Sequence, residues 1–180
     1  MSIEIRLVET KKDREVFINL PKLFHKDHKN WVPPIYMDDR NFFNPSKNKC
    51  FLYSDTVLAI AYRERNPVGR IMGIINRKYN ESHQENDGRF CFMECAEDKD
   101  VFHALITYIE NWLRSKGMTN IVGPLGFSDK DPQGFMIEGF NEPIVLATNG
   151  NKSYMPQLLE IEGFIKKVDC VVYKVPIPDK

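Results

Sequence analysis

The apolar positions change period twice between Gly88 and Gly123. Over Arg89–Cys95 they occupy both faces of an extended chain. Phe90, Phe92 and Glu94 fall on one side, and Cys91, Met93 and Cys95 on the other. A strand that is apolar on both faces predicts a central place in a sheet covered from both sides. From about Asp98 to Lys116 the period becomes helical. Val101, Phe102, Leu105, Ile106, Ile109, Trp112 and Leu113 recur three and four residues apart, with polar residues between them. Gly117 supplies the left-handed residue that ends such a helix. Asn120–Gly123 reads as a strand again. Strand, helix and strand make a crossover unit, so these two strands are expected to be parallel neighbours. In open sheets of this kind ligands gather beyond the carboxyl ends of the strands, here near Cys95–Asp100.

The rest of the chain supplies further elements. Ile3–Val8 alternates as a strand does, and Thr10 with Asp13 forms a capping-box start. Val16, Phe17, Leu20, Leu23 and Phe24 then make a helical stripe that Pro21 should kink or end. Asn30–Phe51 is rich in Pro and aromatics, with a short helix expected near Tyr36–Phe43. Thr56–Arg63 and Val68–Asn76 read as a hairpin turning at Glu64–Pro67. Gly69 and Gly73 in its second strand predict a bulge or a close backbone approach. Tyr79–Gly88 reads as a polar loop ending in an Asp-Gly turn. A second long loop, Pro124–Asn151, is expected to hold a short strand at Ile144–Thr148. Ser153 is expected to cap a helix over Tyr154–Glu162, with Pro156 in its first turn and Gly163 after its end. Asp169–Lys174 is expected to be the closing strand. This order predicts an α/β (α+β) domain with a mixed, mainly antiparallel sheet of roughly six or seven strands and helices on both faces. We expect one domain over 1–180, with long loops at 30–51 and 124–151.

Composition narrows the function classes. The chain has 180 residues, 42% apolar and 28% charged, which suits a soluble globular protein. Its 25 basic and 25 acidic residues cancel, so nothing favours a nucleic acid or an anionic membrane as partner. No apolar run approaches the length of a membrane span. The start, Met-Ser-Ile-Glu-Ile-Arg, reads as a strand and not as a signal peptide. Cys50, Cys91, Cys95 and Cys170 lie in apolar contexts without metal spacing, as reduced core thiols of a cytoplasmic protein would.

Several stretches carry a likeness. They are Trp31-Val-Pro-Pro, Gly69-Arg-Ile through Asn76-Arg, Phe92-Met-Glu-Cys, Gly123-Pro-x-x-Phe-Ser and Gly139-Phe-Asn-Glu-Pro. With the helix endings at Lys116-Gly117 and Glu162-Gly163-Phe164, the chain resembles the Gcn5-related N-acetyltransferase superfamily over nearly its whole length, and more narrowly a bacterial acetyltransferase-like group. In that group this part is often the first portion of a longer polypeptide, so a second domain or a homodimer is an expected partner. The resemblance implies acyl transfer from acetyl-CoA to the amine of a small molecule or protein. It implies a pantetheine arm in a splay between the fourth and fifth strands, and a pyrophosphate on the next helix N-terminus. That seat would be formed by Cys95, Ala96, Glu97, Asp98, Lys99 and Asp100. The superfamily's Gln/Arg-x-x-Gly-x-Gly/Ala loop aligns with Glu97, Asp100 and Phe102, so this chain lacks its glycines. Asp98 or Asp100 is therefore expected to cap the helix with its own carboxylate. The family's usual catalytic Tyr aligns with Leu159, and Tyr154 stands one turn earlier as a substitute.

Glu94 is an acid on an otherwise apolar strand. It reads either as a general base for an amine or as a buried partner of a strand arginine such as Arg70. Tyr154 reads either as the acid for a leaving thiolate or as an anchor at a helix start. His25-x-x-His28 could share a helix face, but it lacks the further ligands a zinc site wants. The two long loops are candidate acceptor sites, offering Trp31, Tyr36, Asp39 and Arg40 from one and Phe127, Ser128 and Asp129 from the other. Two functions stay open. One is acyl transfer. The other is a catalytically degenerate domain of the same fold that binds a small molecule or a partner chain.

Overall fold

The computed structural model describes residues 2–145 and 148–177. One sheet runs in chain order through β1 (Glu4–Leu7), β2 (Ser54–Arg63), β3 (Asn66–Asn76), β4 (Asp87–Cys95) and β5 (Asn120–Val122). Neighbours are antiparallel up to β4, and β4 and β5 are parallel. The sheet is thus mixed and mainly antiparallel, with five strands among the described residues where about six or seven were expected. Asp169–Lys174 forms no strand. A strand needs a neighbour to take its backbone groups, and no described strand lies beside this segment. Ile165, Val171 and Tyr173 are accordingly exposed. Ile144 and Val145 are not in a strand either, and part of that expected element lies outside the described residues.

Helices cover both faces. On one lie α1 (Lys11–Asn19), α2 (Pro21–His25) and α3 (Tyr36–Phe42), with Phe17, Ile18, Phe43, Ile60, Met72, Ile74 and Cys91 in the core they enclose. Thr10 and Asp13 form the capping box of α1, and Pro21 stands at the first position of α2. Proline lacks the N–H that a helix interior needs, so it begins a helix more easily than it continues one. On the other face lies α5 (Lys99–Ser115), which buries Val101, Phe102, Leu105, Ile106, Ile109 and Leu113. Each fully buried side chain of this kind stabilises by roughly 1.5–3 kcal/mol. α6 (Tyr154–Ile161) adds Met155 to the same core.

Some local readings change. Tyr79–His83, read as the first part of a polar loop, belongs to a helix, α4 (Arg77–His83). The side chain of Asn76 accepts from the Tyr79 N–H at its start, Tyr79 stacks on His83, and Gln84 closes it in the left-handed region. Asp87-Gly88 belongs to β4 and is not a turn. Ser153 precedes α6 without a side-chain cap; Asn151, almost wholly buried, instead bonds the backbone of Met136 and Lys152. Cys91 and Cys95 are buried, Cys50 is half-buried and Cys170 is exposed, so not all four are core thiols.

The change that matters most lies in β4. Cys91 pairs with Met72 and Glu94 with Arg70, so β4 spends one residue more than β3 over this interval. Phe92 absorbs the excess at φ 48°. A non-glycine residue held there costs on the order of 1–3 kcal/mol and persists only where packing imposes it. Phe42 and Phe43 meet its ring at 5.1 and 4.8 Å between centroids. The bulge reverses the faces expected of a plain strand. Phe90, Met93 and Cys95 face α5, whereas Cys91 and Phe92 face the α1–α3 side. Glu94 is turned to that second side as well, toward α2.

Candidate functional site

β4 and β5 pair only from Asp87 with Asn120 to Arg89 with Val122. One more bond, from the Leu125 N–H to the Phe90 carbonyl at 2.8 Å, follows before the chains part. Beyond it, Met93–Cys95 runs on without β5 beside it. The end of this free edge is met by Tyr154, whose hydroxyl donates to the Cys95 carbonyl at 2.7 Å. Burial is the main cause that pushes the Tyr154 phenol well above its usual pKa, and the neighbouring Cys95, Glu94 and Glu97 add to it. It remains a protonated donor.

Glu94 projects from the last turn of the bulge. Its Oε2 lies 3.1 Å from Nε2 of His25, whose side chain is fully buried. His25 comes from the end of α2, and the indole of Trp31 stacks flat upon it, centroids 4.8 Å apart and planes 8° apart. Its other nitrogen, Nδ1, lies 3.0 Å from Nδ1 of His28. Glu94, His25 and His28 thus form a continuous chain from the strand outward. Burial is the main cause that lowers the pKa of His28, and the charges of His25 and Lys152 act with it against the opposing pull of Glu94. The loop before α6 closes over this group, since a Cβ built on Gly150 would stand 3.2 Å from the Trp31 ring.

Arg70 is the cross-strand neighbour of Glu94 but does not take its carboxylate. Its Nη1 donates to the Phe17 carbonyl at 2.7 Å, and its guanidinium lies 4.9 Å from the Phe17 ring centroid. The expected Glu94–Arg70 pair is therefore replaced by Glu94–His25, because the bulge turns the acid toward α2. Desolvation lowers the Arg70 pKa, with Glu94 and Asp39 opposing. Burial raises that of Asp39, with Arg70 opposing.

The residues expected to meet an acceptor divide into two groups. Trp31 lies on His25, while Asp39 and Tyr36 lie within the field of Arg70. Arg40 turns away and pairs with exposed Glu15 at 2.7 Å. Phe127 is a core residue by Asn76 and Arg89, at the far end of β4 from Glu94, where both side chains donate to its carbonyl. The Ser128 N–H donates to Asp131, and the Asp129 carbonyl accepts from Gln133. His25 and His28 are the members that sequence reading did not place. Their spacing was visible, but the partner Glu94 lies 69 residues away. Among the described residues no cluster of His, Cys, Asp or Glu is fit to hold a metal.

No family model matches the chain. A bacterial ceramide synthase of Caulobacter vibrioides is 29% identical over 168 residues, 93% of this chain and 44% of that protein. Protein YghO of Escherichia coli is 28% identical over 169 residues, 94% and 43% of the two chains. The chain thus spans less than half the length of these relatives. Among solved structures, glucosamine-6-phosphate N-acetyltransferase from Arabidopsis thaliana superposes with a TM-score of 0.56 at 12% identity, over 98% of this chain and 100% of that one. An acetyltransferase from Clostridium acetobutylicum, solved with acetyl-CoA, also gives 0.56 at 12% identity, over 96% of each chain. The fold is that of the Gcn5-related N-acetyltransferases. The start of α5 does not suit a diphosphate. The N–H groups of Asp100 and Val101 already donate to Oδ1 of Asp98, at 3.0 and 3.2 Å. Oδ2 of Asp98 meets Arg63 at 2.5 Å, and the Ala96 N–H donates to Val68. Glu97, Lys99 and Asp100 point into solvent around this closed turn.

Proposed function

We propose that the chain is an N-acyltransferase domain, moving an acyl group from a thioester to the amine of a small molecule. The observation that carries this reading is Glu94. It is a carboxylate at the free end of an otherwise apolar strand, bonded to a buried histidine and near the protonated phenol of Tyr154. Imidazole backed by an anionic group is suited to take the proton an amine loses when it becomes an amide. The likeness to a ceramide synthase favours a long-chain amino alcohol as acceptor, since a ceramide is the amide of such a base. The Trp31 ring stacked on His25 would suit the apolar part of that acceptor.

A second reading has its own support. Asp98 occupies the helix start where a diphosphate would sit, which favours a domain that binds a small molecule or partner without transferring an acyl group. One experiment separates the two. The protein is incubated with short- and long-chain acyl-CoA and a panel of amines that includes sphinganine, and amide is measured by mass spectrometry. We expect an amide with the long-chain amino alcohol and its loss in Glu94→Gln. Failure to form amide from any pair, with the protein folded, would favour the binding domain.

A further inference from the structure

We infer that His28 is the catalytic base of this site, with Glu94 and His25 acting behind it as positioning residues that fix its tautomer and receive its charge. The inference rests on the acyl-transfer reading and adds the atom that touches the acceptor nitrogen.

Proton counting along the chain fixes each tautomer. A carboxylate can only accept, so across the 3.1 Å contact Nε2 of His25 must donate to Oε2 of Glu94. A neutral imidazole carries one N–H. Nδ1 of His25 therefore holds a lone pair and accepts across the 3.0 Å contact from Nδ1 of His28. That leaves the lone pair of His28 on Nε2, the one ring nitrogen of the three-residue chain without a hydrogen-bond partner among the described residues. His25 is locked in this orientation by burial and by the Trp31 ring stacked on it. His28 is only half-buried, between the end of α2 and the segment leading into α6. Its surroundings keep it neutral and ready to accept, because desolvation and the charge of Lys152 both oppose protonation.

The step balances. The acceptor nitrogen uses its electron pair to form the amide bond and gives one proton to Nε2 of His28, while the acyl thioester substrate loses its C–S bond and the sulfur leaves with that pair. The proton on Nδ1 of His28 can then shift to Nδ1 of His25, which brings the positive charge against Glu94. This is the logic by which a buried carboxylate orients and stabilises the imidazole of a catalytic triad, here extended by one histidine. Glu94 alone would require the acceptor to reach a carboxylate that is 15% exposed, whereas His28 stands at the surface end of the chain.

Nitrogen NMR on histidine-labelled protein, run near neutral pH, reads the tautomers without any need for activity. His28 should show a protonated Nδ1 with a free Nε2, and His25 a protonated Nε2. The reverse tautomer at His28 would overturn the inference. In kinetics, His28→Gln should lower kcat by roughly a hundredfold or more, leave KM for the amine within a few-fold, and remove the acidic limb of the pH–rate profile. An unchanged kcat, or an unchanged acidic limb, would overturn it equally. Should His28→Gln fold poorly, His28→Gly supplemented with imidazole should regain rate, and no gain with a folded variant counts against the base. If the wild-type protein makes no amide from any donor and amine, the transfer reading fails. The NMR tautomers then still decide whether the Glu94–His25–His28 chain exists.

Discussion

The Tyr154 hydroxyl donates to the Cys95 carbonyl across 2.7 Å, joining the first residue of α6 to the last residue of β4. No ladder bond from β5 reaches this part of β4, so a side chain satisfies the carbonyl instead. Tyr154→Phe leaves that carbonyl without its donor. We expect a loss of about 1–2 kcal/mol, or roughly 2–8 °C in Tm for a chain of this size. The pH dependence has a definite sign. The folded pKa of Tyr154 is raised, so its contribution is full below about pH 10, the value in an unfolded chain, and declines as pH rises above it. The difference between wild type and Tyr154→Phe should therefore shrink in alkaline denaturation curves. A difference that grows above pH 10 would contradict the assignment.

Gly69 stands where α5 lies closest to the sheet. A Cβ there would meet Leu105 at 2.8 Å, Cys95 at 2.9 Å and Val101 at 3.0 Å, all buried. Packed interiors yield little to an added methyl group, and overpacking costs typically about 1–3 kcal/mol. Gly69→Ala should destabilise by that order in urea denaturation, whereas Gly134→Ala, with no atom within reach of its Cβ, should show backbone strain alone. Equal losses at both would argue against the close approach.

The Gly69 contact was legible in the sequence because an isolated glycine on a β-branched strand has few other reasons to be there. The crossover unit was legible for a similar reason. Two-sided apolarity in β4 and the helical stripe of α5 are each long enough to be unambiguous. The bulge at Phe92 was not legible. A phenylalanine at positive φ carries no composition signal, and it is imposed by rings from α3 and by the register with β3. The bulge also shapes the site, since a one-residue shift in a strand changes which side the next acid faces. Glu94 was named from its sequence, but its partner His25 could be found only by placing α2 against β4. The hairpin was legible, with its turn narrowed from Glu64–Pro67 to Glu64 and Arg65, which occupy left-handed conformations at φ 49° and 68° without the asparagine or glycine such a turn favours.

His103 on α5 and Glu162 after α6 pair at 2.8 Å and pin the two helices on the outer face. The hydrogen bond to Glu162 is the main cause that raises the His103 pKa. The pair is present in full below about pH 6.5 and is lost as pH rises through the raised folded value. His103 is mostly exposed, so solvent screens the pair and its contribution is small. Double-mutant cycles of His103→Asn and Glu162→Gln should show coupling near pH 5.5 that fades by pH 8.5. Coupling that is constant across this range would mean that the ion pair is not what joins the helices.

Asp98 sets the most consequential test. Its carboxylate caps α5 through the N–H groups of Asp100 and Val101 and is held from the other side by Arg63 of β2. The hydrogen bond from Arg63 is the main cause that lowers its pKa, with the two backbone bonds adding to it. Its contribution is therefore full above about pH 4, the unfolded value, and is lost as pH falls through the lower folded one. Asp98→Asn retains an acceptor at the cap but removes the charge. The expected cost at pH 7 is about 1 kcal/mol or less, since capping asparagine performs much as aspartate does and half-exposed ion pairs contribute little. The same substitution removes a negative charge from the helix start, the seat that the proposed acyl-CoA would need for its diphosphate, and frees Arg63 beside it. With Asp100→Gly added, the helix start becomes less acidic and its N–H groups more open to an anion. The double variant should be slightly less stable than wild type, with that deficit shrinking as pH falls below about 4, yet should bind CoA more tightly in calorimetry. If CoA binds the wild-type protein well and the double variant poorly, Asp98 is not an obstacle to the diphosphate but part of its seat.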